Sequence, residues 1–250
     1  MRSGESLDIR QQLIHVRERT EHDWLYCYPR ADPSCIEERK KELCSLGVEY
    51  VRLTGNTRVR GVSVLGKGKN SIVVEGLLGR DKSVVAVKLL RSDSARKDVS
   101  WEAEILSRAN SVSVGPKLIK AGKHVLILER IYGNSLVDFL NYSPPAQIKL
   151  MVKELLSQAR LLDAAGIRHM ELANASKHVV VEGLKPMIID FESASLSCRG
   201  HNVAALCQYV FIRKRPDLLN LPISLFLEAL RRYRHQPTDE NYVKLRDMVV

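Results

Sequence analysis

At 250 residues, 45% hydrophobic and 27% charged, the chain is long enough for one large domain or a domain plus a small module, and its composition excludes a disordered tail. No apolar run approaches the roughly 20 residues of a membrane span, and MRSGESLDIRQQLIHVRERTEH has no continuous apolar stretch of a secretory leader. A cytoplasmic chain with no membrane partner is the expectation. A net charge of +10 favours an anionic partner such as a nucleotide, nucleic acid or acidic surface, although solvated helix faces also account for much of it.

In chain order, residues 7–25 read as helical until Tyr28-Pro29 and Asp32-Pro33 break the pattern. Ser34 is a candidate N-cap for a helix through CIEERKKELCSL, closed by Gly47. VEYVRL and TRVRGVSVL, joined at Thr54-Gly55-Asn56, read as a hairpin. Helix, turn and hairpin in that order fit a small winged-helix-like module over residues 1–60, or else a packing extension of a larger lobe. The five cysteines show no metal-binding spacing and are expected as free thiols; their odd number argues against a full disulfide framework.

From residue 61 the texture becomes β-rich. VSVLGKG, NSIVVEGLL, SVVAVKLL, PKLIKAG and HVLILERI read as five antiparallel strands, with a helix through DVSWEAEILSRANS, so residues 61–131 form a small α+β lobe. Residues 132–250 are mostly helical, with periodicity over 134–141, 145–165 and around 200–212, 221–234 and 238–248. HVVVEG and KPMIIDFE form a short hairpin among them. Two basic clusters, Arg213-Lys214-Arg215 and Arg231-Arg232-Tyr233-Arg234-His235, are candidate nucleic-acid contacts.

VLGKGKNSIVV raises a sharper question. Gly66 and Gly68 suit a tight turn, because glycine takes positive φ without penalty, and they equally suit a phosphate cradle, because nothing projects from their backbone. Further elements come after it in a fixed order. VAVK ends in Lys88, and Glu102 comes fourteen residues later in the frame E-x-x-I-L, with Glu104 as its competitor. LILERIYG, GIRHMEL and IIDFE complete the series. This ordered set, over about residues 62–210, resembles the protein kinases, and especially the small atypical RIO-like and archaeal Ser/Thr kinases.

The resemblance implies a two-lobed kinase-like α+β fold with a reduced C-lobe and an N-terminal extension. It also implies ATP and Mg²⁺ as cofactors and a protein or small-molecule acceptor. Gly66, Lys67 and Gly68 would cradle phosphates, and Val73 would cover the adenine. Lys88 would hold the α- and β-phosphates, steadied by Glu102. Leu128 would stand at the mouth of the adenine pocket, with backbone groups of Glu129 and Ile131 on the adenine edge. Asp190 would hold the metal, with His178, Ser176 and Asn174 as alternatives for the second ligand, and Glu171 would orient the acceptor. The sequence departs from the family in three places: Glu171 replaces the usual Asp, Met170 the Arg before it, and Glu192 the Gly of D-F-G. Only 58 residues come after Glu192, with no A-P-E, so the region that builds a peptide groove is missing. An ATPase, a small-molecule or RNA-associated kinase and a nucleotide-binding pseudokinase are the alternatives.

Overall fold

The computed structural model describes residues 13–196 and 202–249, and it is an α+β protein that divides into two compact units. Met1–Ala103 with Lys117–Arg130 make the first, and Glu104–Pro116 with Ile131–Val250 the second. Cys198 lies outside the described residues, as does the start of the helix expected over 7–25.

The first unit is built on a seven-stranded antiparallel sheet. Its strands are β1 (Leu13–His15), β2 (Val48–Arg52), β5 (Gly66–Lys67), β6 (Ser71–Leu78), β7 (Ser83–Leu90), β8 (Leu118–Ala121) and β9 (Val125–Glu129). The spatial order is β1-β2-β6-β7-β9-β8, with β5 on the free length of β6. Successive side chains on a strand point to opposite faces. Ile72, Val74, Val85, Val87, Leu89, Val125 and Ile127 therefore all meet one core, which Leu43 and Val16 complete. Leu43 comes from α1 (Pro33–Ser45). That helix starts where Asp32, not Ser34, accepts from the amides of Ser34 and Cys35, both at 3.0 Å, with Pro33 pre-set in the first turn.

Three expectations for this region need correction. Residues 13–15 form a strand and Asp23–Cys27 a 3-10 turn, in place of the helix over 7–25. VEYVRL does not pair with TRVRGVSVL. β2 lies between β1 and β6, while β3 (Thr57–Val59) pairs with β4 (Val62–Val64) in its own hairpin. β1 and β2 extend the main sheet, the β3–β4 hairpin is a two-stranded sheet of its own, and Leu25, Leu43, Leu53 and Val59 join the same core. Finally, Cys27 and Cys35 form a disulfide, while Cys44 and Cys207 are free thiols.

The second unit contains α3 (Leu136–Tyr142), α4 (Pro145–Ala164), α5 (Asn202–Cys207), α6 (Ile223–His235) and α7 (Asp239–Asp247). A three-stranded sheet of β10 (Asn134–Ser135), β11 (Val179–Glu182) and β12 (Lys185–Ile188) adjoins them. Between α5 and α6 the chain winds as a π-helical segment over Gln208–Lys214. The remaining helix, α2 (Ser100–Ser111), carries Glu102 in its first turn. No helix among the described residues is long and apolar enough to cross a membrane.

Asp163, near the end of α4, organises the second unit. Its buried carboxylate accepts from the Asn202 amide (2.9 Å), Asn202 Nδ2 (2.8 Å), the Val203 amide (3.2 Å) and Tyr233 Oη (2.8 Å). Asn202 in turn accepts from the His169 amide at 2.9 Å and donates to the Ile167 carbonyl at 2.6 Å. Three helices and the loop after Gly166 are thereby joined through one carboxylate. Burial pushes its pKa up even though the hydrogen bonds pull it down.

Candidate functional site

In the first unit, strand register decides which candidates meet. Gly66 lies opposite Val73, Val73 opposite Lys88, and Lys88 opposite Leu126. These four form one row across β5, β6, β7 and β9, on the face turned away from the core residues of β6 and β7. The neighbouring row carries Glu75, Ala86 and Leu128. Sequence reasoning missed Ala86. Its signal was a small residue two before the lysine, hence on the same face of β7, where it lies opposite Leu128.

Lys88 is 5% exposed and Glu102 6%, and Lys88 Nζ donates to Glu102 Oε1 at 2.7 Å. Glu104 instead pairs with Arg108 at 2.8 Å, both exposed. The helix thus offers two carboxylates, and its geometry gives the buried one to the strand lysine. An ion pair this dry gains much of its strength from low dielectric but is costly to break, since either partner left alone is a buried charge.

The glycine turn answers the question its sequence raised. Neither Gly66 nor Gly68 has a positive φ. A Cβ at Gly66 would meet nothing within 4 Å, and one at Gly68 nothing closer than Ser71 Oγ at 3.6 Å. Gly76, further along β6, is different: a Cβ there would reach Val87 Cγ2 at 2.5 Å. Packing requires a glycine at 76, whereas neither turn conformation nor packing requires one at 66 or 68. Absent side chains at those two positions leave open backbone beside the Lys88 row. Lys67 is exposed, with Nζ 5.3 Å from the Tyr28 ring. The Glu129 amide is already donated to the Lys117 carbonyl at 2.9 Å, so its carbonyl is the group left to consider. Ile131 lies beyond the end of β9.

In the second unit, Glu171, His178 and Asp190 come together. Their ligand-capable atoms all lie within 4.8 Å of one another. His178 Nε2 is 3.8 Å from Glu171 Oε2, and its Nδ1 is 3.7 Å from Asp190 Oδ2. That Nδ1 is buried and makes no hydrogen bond. Two carboxylates and an uncommitted imidazole nitrogen fit a divalent cation. Ser176 is not part of this group; it donates to Asn174 Oδ1 at 3.1 Å within the 3-10 segment Leu172–Lys177. His178 ends that segment, which is how seven residues of chain return an imidazole to Glu171.

The local backbone is held from several sides. Arg168 and Ser195 exchange amide hydrogen bonds at 2.8 and 2.9 Å, tying the Glu171 loop to the Asp190 loop. His169 Nε2 bonds the Ile189 carbonyl at 2.9 Å, and its ring meets Phe191 edge-on at 5.1 Å. Asp190 has φ 68°, in the left-handed region that costs most residues about 1 kcal/mol or more and that Asp tolerates better than most. Ser193 Oγ donates to Glu171 Oε2 at 2.8 Å, a positioning contact that no motif announced.

The basic clusters divide. Arg213 donates to the Ala173 carbonyl, Arg215 is taken up by Asp217 and the Leu140 carbonyl, and Tyr233 is fully buried. Arg231, Arg232 and Arg234 are exposed on α6, with Arg232 paired to Glu228 at 2.6 Å. No model of a known protein family matches the chain.

Proposed function

We propose that the chain is an ATP-dependent phosphotransferase of the atypical Ser/Thr kinase type, using a divalent cation. The observation that carries this reading is the buried Lys88–Glu102 pair, set in register with a turn whose two glycines serve no folding need. Lys88 would hold phosphate oxygens, with its ammonium kept in place by Glu102. Open backbone at Gly66 and Gly68 would let further amides approach the phosphates. Val73, Ala86 and Leu128 supply an apolar, uncrowded surface for the base.

The proposed chemistry also needs a cation and a contact to the acceptor, for which the second unit has candidates. Asp190 and His178 would hold Mg²⁺, and the cation would supply positive charge to offset that of a phosphate. Glu171, kept in place by Ser193, would accept a hydrogen bond from the acceptor hydroxyl and orient it. The imidazole suits a transition-metal ion better than an all-oxygen set does, so Mn²⁺ is expected to serve alongside Mg²⁺.

The test tracks γ-labelled ATP with Mg²⁺ or Mn²⁺ and reads label on water, on this chain and on added acceptors. Turnover is expected in the parent. Glu171→Gln is expected to keep ATP affinity and lose turnover by about 10²-fold or more, because a contact made mainly in the transition state changes rate rather than binding. Turnover at the parental rate in Glu171→Gln removes the catalytic role of this loop and leaves a nucleotide-binding scaffold.

A further inference from the structure

A second polar concavity lies in the first unit, away from the residues assigned to ATP. It is a cavity of about 410 Å³ lined by Arg30, Arg39, Arg91, Arg96, Lys97 and His124, among others. Three chain segments build it: the turn leading into α1, the stretch after β7, and the residue before β9. The walls are tied together. The Cys27–Cys35 disulfide closes one of them, and Ser92 Oγ donates to the Cys27 carbonyl at 3.0 Å while accepting from the Arg30 amide at 3.2 Å.

Its charge is lopsided. Five arginine and lysine side chains face it, against three carboxylates in contact with them or in the wall: Asp32, Asp93 and Glu42. Asp32 is engaged with the amides that begin α1. Asp93 chelates Arg91 at 2.6 and 2.8 Å, and Glu42 is shared between Arg39 at 3.6 Å and His124 at 3.3 Å. Two positive charges are left over. Arg30, Arg96 and Lys97 make no ion pair among the described residues, and set against the Asp32 carboxylate they supply that surplus.

Arg39 is the decisive residue. It is 5% exposed, and its buried Nε has no hydrogen-bond partner. Leaving a buried donor unmet costs about 1–3 kcal/mol, more beside a charge. Burial also pushes the Arg39 pKa down, against the pull of Glu42. A guanidinium kept in that position with an unspent N–H is complementary to an oxyanion, which it can meet bidentately.

We propose that this cavity is an anion site for a phosphate-bearing ligand of metabolite size. A phosphate monoester carries about −1.5 to −2 charge at pH 7, which matches the surplus. Small-molecule sites fall between roughly 300 and 1,000 Å³, which the cavity satisfies. The ligand need not be ATP, because no residue assigned to the nucleotide lines the cavity. Several contacts join the two places: Arg91, in the cavity wall, donates Nη1 to the Gly68 carbonyl at 2.9 Å and its amide to the Asn70 carbonyl at 2.8 Å, and Ser94 Oγ donates to Asn70 Oδ1 at 3.2 Å. Occupancy of the cavity would therefore act on the glycine turn through Arg91 and Ser94 together.

The experiment titrates inorganic phosphate and pyrophosphate into the full chain at low salt, by calorimetry. Three variants accompany it: Arg96→Glu/Lys97→Glu, Arg39→Gln, and Lys88→Met/Glu102→Leu, each checked for fold by circular dichroism. The parent is expected to bind pyrophosphate at the cavity, in addition to any taken up at the Lys88 site. The Arg96→Glu/Lys97→Glu variant, whose changes lie at the cavity's outer side, is expected to weaken binding at least 30-fold. Arg39→Gln should weaken it at least 10-fold, and Lys88→Met/Glu102→Leu should leave it intact. Absent binding in the parent, or unchanged binding in Arg96→Glu/Lys97→Glu, overturns the proposal. So does loss in Lys88→Met/Glu102→Leu, which would send the anion to the proposed nucleotide site. A short oligoribonucleotide that binds through Arg96 and Lys97 and is not displaced by pyrophosphate would also overturn it, in favour of a nucleic-acid surface. ATP turnover, measured separately, stands or falls independently of all these outcomes.

Discussion

Two buried carboxylates, one in each unit, are kept in place by opposite means. Glu102 faces an ammonium at 2.7 Å; Asp163 receives four hydrogen bonds from an asparagine, two backbone amides and a tyrosine. Four fixed neutral donors make a joint, because every one of them belongs to a different packing demand. A lysine makes a charged contact, whose strength comes from the burial of both partners. The first arrangement joins three helices and a loop, and the second ties a strand to a helix through opposite charges.

The contrast can be broken hardest at Asp163. Asp163→Ala strands the buried Asn202, Val203 and Tyr233 donors, and it is expected to cost on the order of 4 kcal/mol in urea unfolding. Asp163→Asn keeps the shape and is expected to cost less than half of that. The raised pKa has a sign that can be checked as well. The folded state holds this proton more tightly than the unfolded chain, whose value is near 3.8, so stability falls as pH rises from there through the raised value. Asp163→Asn should remove that part of the pH slope; an unchanged slope would show that other groups cause it.

Lys88 gives the next largest effect and the sharpest test. Lys88→Ala leaves Glu102 charged and buried, so about 3 kcal/mol of stability is expected to go, together with ATP binding. Replacing both partners, Lys88→Met/Glu102→Leu, should return stability to within about 1 kcal/mol of the parent, since apolar pairs often substitute for buried ion pairs. Nucleotide binding should stay lost. A double variant that binds ATP normally would show that the pair serves only the fold.

Glycines give the smallest and most discriminating comparison. Gly76→Ala drives a methyl into Val87 and is expected to cost about 1–3 kcal/mol. Gly68→Ala meets only ordinary van der Waals contacts with Ser71, so its stability should stay within about 0.5 kcal/mol of the parent while ATP affinity drops. If Gly68→Ala binds ATP as the parent does, the open backbone at this turn has another purpose.

These residues also mark how far the sequence could be read. β6, β7 and β9 were legible because apolar alternation is a local property, and VAVK placed Lys88 on a strand with no knowledge of its neighbours. Helices α4, α6 and α7 were legible through the same kind of periodicity. What failed was long-range. Leu13 pairs with Arg52, 39 residues on, and a three-residue strand carries too little pattern to reveal that partner. The Cys27–Cys35 bond depends on a turn that brings two thiols together, which spacing alone does not specify. Asp163 looked like an ordinary helix residue, for its donors lie 39 to 70 positions away. Ser176 was a candidate from its distance to Glu171, but a 3-10 segment counts residues differently from an extended loop and brought His178 there instead.

The row from Gly66 through Val73 and Lys88 to Leu126 has a bearing on how this chain can change length. Side chains on a strand change face at every step, so one residue added inside β6 would turn Val73 toward the core and leave Lys88 facing a different neighbour. β6 and β7 are joined by residues 79–82, at the end remote from the glycines, where the register Leu78 to Ser83 closes the pair. Extra residues there lengthen a loop and leave the row as it is. Residues 68–70 have no such freedom, since the Gly68 amide bonds the Ser71 carbonyl at 2.8 Å and Arg91 grips the Gly68 carbonyl. Insertions and deletions in related chains should therefore gather at 79–82 and avoid 68–70, a record that sequence comparison alone can read.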